Sequence, residues 1–233
     1  MASNQIVKVA TFNARHGAGP FGIGLNRHLV ATCRTLDADI LALQEVDQRV
    51  IRSWFVDQPA LIGRRLGQQV ATARAKRTPV GGWQCNAICA RGPLTEVEIV
   101  PLPGGPDDEE RVVLLATVNL PGAVLSVACT HLQHRGGAPA QLTAALDALA
   151  TRPQPRIIAG DFNLGADVVE PELSRRGYRP AETGPTFPAT NPRTRIDWIA
   201  VEGDLEIVRT SVPQPLISDH RPVVADVEVV VEP

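Results

Sequence analysis

Lysine is nearly missing from this chain: only Lys8 and Lys76 are present among 233 residues, so almost all positive charge is arginine. The formal net charge is -2 and the pI about 6.2, which argues against a protein that grips long nucleic acid by bulk positive charge. No apolar run approaches the roughly 20 residues that a membrane-spanning helix needs. No basic-then-apolar leader precedes the first apolar strand, as a secretory signal would require, so a cytoplasmic protein is expected. The cysteines, Cys33, Cys85, Cys89 and Cys129, match no zinc-ligand spacing, and a chain of this size does not need disulfide staples. Their apolar neighbours predict reduced, buried thiols. Gly17 to Gly24 is glycine-rich, but no Gly-Lys-Ser/Thr follows, so a nucleotide P-loop is not expected. Internal repeats and linker-like stretches are also missing.

What is present reads as one α/β domain over residues 1–233, with 44% hydrophobic residues to fill a core. Period-two, β-branched runs predict strands at Gln5–Phe12, Asp39–Gln44, Gln69–Ala75, Gln84–Ala90, Thr95–Val100, Arg111–Leu120, Val124–Thr130, Arg156–Ala159, Arg195–Val201, Leu205–Val212 and Pro222–Val231. Helical spacing predicts helices at Leu25–Leu36, Pro59–Gly67, Ala138–Ala150 and Glu170–Arg176. The segment from Pro101 to Glu110 reads as a solvated turn. Strands with helices between them, in two similar halves, predict two packed sheets flanked by helices.

Polar residues recur at the ends of these apolar strands, where an unpartnered charge is costly. Asn13 closes the first strand and Glu45 the second. Gly160-Asp161-Phe162-Asn163 closes another; in a strand, Asp161 and Asn163 would face one side. An Asx-turn leaving the strand is the alternative. His131 follows a run of small apolar residues. Asp219 and His220 are adjacent and so face different ways, which makes Asp197 the expected partner of His220. Between Asp57 and Glu96 no acid occurs, while Arg64, Arg65, Arg74, Lys76, Arg77 and Arg91 do. That stretch reads first as a solvated positive face, second as a phosphate-binding one.

In order, the motifs are Thr-Phe-Asn-x-Arg (11–15), Leu-Gln-Glu-Val (43–46), Asn-Ala-Ile (86–88), Thr-His-Leu (130–132), Gly-Asp-Phe-Asn (160–163), Arg-Ile-Asp-Trp (195–198) and Ser-Asp-His (218–220). This series resembles the endonuclease/exonuclease/phosphatase superfamily, the fold of pancreatic deoxyribonuclease, abasic-site endonucleases and neutral sphingomyelinases. Gly184-Pro185-Thr186-Phe187-Pro188 brings it nearer to small bacterial members. The resemblance implies a four-layered α/β/β/α sandwich of two mixed sheets and a Mg²⁺- or Mn²⁺-dependent phosphoester hydrolase. It implies Glu45 as the main metal ligand, with Asn13 and Asp219 beside it or near a second metal. Asp161 and Asn163 would position water and phosphate, and His220, oriented by Asp197, would act as base or stabilise developing charge. His131 would contact a phosphate oxygen or protonate the leaving group. Arg15, Asn86 and Arg91 would contact substrate. The chain departs from the pattern at Cys85, at Cys89-Ala90-Arg91 and at Ala138, none of them an expected metal ligand. A small phosphodiester is the expected substrate. A nuclease of the same fold is the alternative, and a non-catalytic binding module the remote one.

Overall fold

Alternation along the first strand already separates two layers. The computed structural model describes residues 5–19, 24–106, 108–215 and 217–229. In β1 (Gln5–Asn13), Val7 and Val9 point into a core between two sheets, while Ala10 and Phe12 point outward under helices. The same division holds in β2 (Ile40–Gln48), where Ile40 and Ala42 face inward and Leu41 and Leu43 outward. Strands covered on both faces must be apolar on both, which explains why these runs look almost continuously hydrophobic.

The further strands are β3 (Gln69–Arg77), β4 (Trp83–Ala90), β5 (Leu94–Pro101), β6 (Val112–Leu120), β7 (Ala123–His131), β8 (Arg156–Asp161), β9 (Arg179–Pro180), β10 (Asp197–Glu202), β11 (Leu205–Ser211) and β12 (Val223–Val229). They form two six-stranded mixed sheets, in the orders β11-β12-β1-β2-β4-β3 and β5-β6-β7-β8-β10-β9. Helices α1 (Asn26–Leu36) and α2 (Gln58–Leu66) cover the first sheet through Leu29, Val30, Cys33 and Ile62. Helices α3 (Ala138–Ala150) and α4 (Ala166–Arg175) cover the second through Leu142, Leu146, Leu149, Val169 and Leu173. The result is the four-layered α/β/β/α sandwich that the strand and helix patterning and the resemblance predicted.

Each sheet contains one central parallel pair. Asn13 ends β1 beside Gln44 of β2, and His131 lies beside Asp161 at the ends of β7 and β8. Antiparallel β10 begins at the same level, with Asp197 opposite Asp161. The loop before β12 returns there too, because Val223 pairs with Thr11. One end of the sandwich therefore collects chain ends from both sheets. Gly160 is required for this approach: a Cβ on it would sit 2.0 Å from the Thr130 carbonyl oxygen.

The predicted elements differ from the observed ones mainly at their ends. The second strand does not stop at Gln44 but runs to Gln48 across a register shift between Leu43 and Val46. α4 begins four residues before its predicted start, and Pro171 lies inside it. The glycine-rich segment falls partly on residues 20–23, and the predicted end of the last strand on residues 230–231, outside the described residues.

Candidate active site

Asp161 is the centre of the site. It ends β8, is 1% exposed, and has polar groups from three directions. Asn13, from the opposite sheet, donates its Nδ2 to Asp161 Oδ2 at 2.8 Å. His131 Nε2 lies 3.5 Å from that oxygen and His220 Nε2 lies 3.7 Å from it. The Asn163 amide N–H is donated to Asp161 Oδ1 at 3.0 Å. Burial first, and then the charge of Asp197, raises the Asp161 carboxyl above its usual range.

His220 and Asp197 form the expected pair. His220 Nδ1 lies 3.0 and 3.2 Å from the two Asp197 oxygens, and Asp197 is fully buried. Burial alone would lower the imidazole. The Asp197 carboxylate, by charge and hydrogen bond, outweighs burial with help from Asp161 and Asp219, and raises it to about 9. Ser218 fixes the loop: its hydroxyl donates to the Asn13 carbonyl at 2.7 Å and accepts the His220 N–H at 3.1 Å. The Phe187 ring packs against the imidazole, 4.9 Å between centroids. The Thr186 hydroxyl oxygen accepts the Asp197 N–H at 3.4 Å. His131 is the opposite case. Burial, reinforced by the nearby Arg111 guanidinium, holds its imidazole well below the usual range.

Glu45 lies beside this group on the first sheet, at the β2 register shift and with a positive φ of 54°. A left-handed residue in a strand is strained, and such strain is kept where it aims a side chain. Its Oε2 accepts from Gln84 Nε2 at 2.9 Å, and its Oε1 lies 3.4 Å from Asn13 Nδ2 and 3.9 Å from His131 Nδ1. Among the described residues it forms no ion pair with lysine or arginine, and its side chain is 24% exposed. A carboxylate held by amides, with no fixed cation, fits a hard divalent ion. Asp161, Asp197 and His220 also group within 4.8 Å, but the Nδ1 of His220 is already committed to Asp197, so we read that trio as a proton-handling set.

The remaining expected residues separate. Asn13 turns its amide nitrogen, not its oxygen, toward the acids, while its Oδ1 accepts the Arg15 N–H at 3.1 Å. That amide nitrogen reaches both Glu45 Oε1 and Asp161 Oδ2. Asp219 is anchored by Arg15, Nη1 to Oδ2 at 3.2 Å, and both are partly exposed at the rim. Asn86 is buried on the inner face of β4, where its Nδ2 donates to the Val112 carbonyl. Asn163 does not share a strand face with Asp161. β8 ends at Asp161, and Asn163 has φ 52° and donates its Nδ2 to the Leu132 carbonyl; the Asx-turn is what forms.

Arg91 is not brought to the site. It lies at the other end of these strands, where Ala90 pairs with Ile40, and it is ion-paired with Asp37 and Asp39. The arginine-rich stretch divides likewise. Arg64 and Arg65 end α2, while Arg74, Lys76 and Arg77 lie at the catalytic end of β3. All four cysteines are free and buried, and burial pushes the Cys33, Cys85 and Cys129 thiols to about 12, as expected of inert core thiols. Gln84 and Arg111 carry no signal in the sequence, because Gln84 joins the site only through the pairing of β4, and Arg111 only through the place of the residue before β6.

The profile of the Endonuclease/Exonuclease/phosphatase family matches residues 10–220. No curated protein sequence matches the chain. Solved structures do. An endonuclease/exonuclease/phosphatase from Beutenbergia cavernae is 23% identical with a TM-score of 0.81, over 96% of this chain and 72% of that one. A mannosyl-6-phosphatase from Bacteroides thetaiotaomicron is 18% identical with a TM-score of 0.76, over 95% and 99%. The catalytic domain of human Nocturnin, with bound sulfate, is 20% identical with a TM-score of 0.70, over 95% and 93%. At these identities the likeness is one of fold.

Proposed function

The chain belongs to the endonuclease/exonuclease/phosphatase family, whose members hydrolyse phosphoesters, and on that premise we propose that it is a phosphodiesterase dependent on Mg²⁺ or Mn²⁺. The observation that carries the reading is Asp161, a buried carboxylate with raised proton affinity, within 3.7 Å of an asparagine and two histidines of opposite protonation tendency. A carboxylate of that kind is suited to take a proton from water near neutral pH. Asp161 would orient and deprotonate the water that attacks phosphorus in line, and the P–O bond opposite it would break, its oxygen leaving as an alcohol with a proton from solvent. His220, protonated and held by Asp197, would donate to a phosphoryl oxygen as charge develops there. His131 is neutral in this setting, so it would donate a hydrogen bond to a phosphoryl oxygen rather than protonate the leaving group. Asn13 would hold Glu45 and Asp161 together by donating to both. Asn163, Asn86 and Arg15 would line the substrate's path.

Glu45 would be the main ligand of the cation, with Asp219 as a rim carboxylate for a second. When bound, the cation would neutralise phosphoryl charge and lower the barrier to attack. The single-domain reading of residues 1–233 fits the span of the family match.

A small diester is favoured over duplex nucleic acid. Duplex binding needs several free cationic groups, each adding to the loss of affinity with salt. At the catalytic end of β3, Lys76 is paired with Glu109, and Arg74 lies on the Trp83 ring and donates to Gln48. Turnover of a chromogenic phosphodiester, of sugar phosphates and of oligonucleotides, each with Mg²⁺, Mn²⁺ or chelator, tests the proposal. Metal-dependent diester cleavage exceeding the others is expected. Undiminished turnover in excess chelator would refute the metal dependence.

A further inference from the structure

Two loops next to the catalytic end present an apolar surface that the proposed chemistry does not use. The first follows β2 and exposes Ile51, Trp54 and Phe55, with 70% of Trp54 and 62% of Phe55 accessible. The second is the β3–β4 hairpin, which exposes Val80. The loops are joined. Gln48 pairs with Trp83 at their bases, and a Cβ on Gly82 would fall 2.4 Å from the Arg49 carbonyl oxygen. The first loop begins three strand residues after Glu45, about 10 Å along the strand. Apolar groups clustered at adjacent loop tips differ from scattered surface residues and mark a surface that something covers.

Charge identifies what covers it. Residues 48–56 and 77–83 contain no acid and three arginines. Arg52 is bound on two atoms to the buried Asp47 and is occupied. Arg49 and Arg77 remain exposed, and no ion pair holds either among the described residues. Two aromatic and two aliphatic side chains rimmed by cations, on a chain of net charge -2, complement an apolar layer with an anionic surface. A nucleobase would use the two rings but not Ile51 or Val80. The backbone supports presentation rather than burial. Arg49, Trp54 and Phe55 have φ values of 59°, 63° and 56°, strained for such residues, while both rings are turned outward.

We infer that Ile51, Trp54, Phe55 and Val80, with Arg49 and Arg77, form a docking surface for an anionic lipid bilayer, turned to the same end of the molecule as the catalytic site. The inference deepens the phosphodiesterase reading by stating where the enzyme acts; the binding surface itself stands on its own residues. Trp54→Asn with Phe55→Asn is the test variant, because asparagine tolerates the left-handed backbone that both positions need. Arg49→Ala with Arg77→Ala is the second. Wild type and variants are sedimented with vesicles of phosphatidylcholine alone and of phosphatidylcholine with about one-third phosphatidylserine. Wild type is expected to pellet with the anionic vesicles and to shift its tryptophan emission to the blue. The aromatic variant should bind at least tenfold more weakly, and the arginine variant should lose the preference for anionic vesicles. Turnover of a soluble diester should be unchanged in both, so loss of that turnover in wild type would fault the catalytic reading and not this one. The inference is overturned if wild type stays in the supernatant, or if the aromatic variant binds vesicles as well as wild type. It is equally overturned if that variant instead abolishes self-association or oligonucleotide binding by a wild type that ignores vesicles.

Discussion

Replacing Asp197 with asparagine tests the proton-handling half of the site with little change of shape. Asp197 is fully buried and touches His220 Nδ1 with both oxygens, so the amide removes a charge and leaves the volume. The imidazole stands at about 9 against 6.5 for the free side chain, although burial pulls it down. That rise amounts to about 3 kcal/mol of preference for the imidazolium. Asp197 supplies the larger share of it, with Asp161 and Asp219 adding the rest. Asp197→Asn is therefore expected to lower kcat by about a hundredfold, with a smaller effect on KM, if the charged imidazole serves the transition state. The pH dependence should change in a definite sense. The raised value means that the His220–Asp197 contribution to stability is fully present below about 6.5 and is lost as pH rises through about 9. Wild type should lose melting temperature and kcat across that window, and the variant should lose its kcat limb to lower pH and flatten the stability slope. The assays are kcat against pH on a chromogenic diester and thermal melts over the same buffers. A variant with kcat within threefold of wild type and the same alkaline limb would refute the reasoning and leave Asp197 a packing residue.

The two halves of the site should separate by titration with metal. Glu45→Gln should raise the Mg²⁺ or Mn²⁺ concentration needed and recover in excess cation, whereas His220→Ala should lose about two to four orders of magnitude that no cation restores; the opposite pattern would exchange their roles. Arg91→Ala should leave kcat/KM unchanged and cost no more than about 1 kcal/mol in chemical denaturation, because its partners Asp37 and Asp39 are surface groups far from Asp161. A tenfold loss of kcat/KM would return Arg91 to the site. Gly160→Ala should destabilise the protein by on the order of 3 kcal/mol or more, since the new methyl meets backbone at 2.0 Å; a melting temperature within 2–4 °C of wild type, roughly 1 kcal/mol for a chain this long, would show that β7 and β8 can part.

The layers were legible because burial on both faces leaves a simple trace, namely central strands apolar on both sides between two pairs of amphipathic helices. The site was legible in part. Asn13, His131, Asp161 and Asp197 stand at strand ends, and strand ends of parallel pairs converge by topology. What failed were arguments that carried regular geometry past a strand's last residue. Asp161 and Asn163 obey strand alternation only if the strand continues, and a left-handed residue at 163 ends it. Glu45 looked terminal because a register shift leaves no mark in a run such as Leu-Gln-Glu-Val. Arg91 follows β4, and β4 runs opposite to β2, so its distance from the site depends on pairing that local sequence does not encode. Gln84 escaped notice for the same reason: its nearness to Glu45 exists only after β2 and β4 have paired.

The place of β12 has a consequence for synthesis on the ribosome. β12 lies between β11 and β1, so the edge of β1 that carries Asn13 has no antiparallel neighbour until residues 223–229 emerge. Until then that apolar edge is open to other nascent chains, while Asn13, Glu45, His131, Asp161 and Asp197 are already made. The strand that closes it is also the one whose preceding loop delivers Ser218 and His220. Closure of that edge and placement of His220 against Asp197 are thus a single event, so the buried pair forms as β1 is covered.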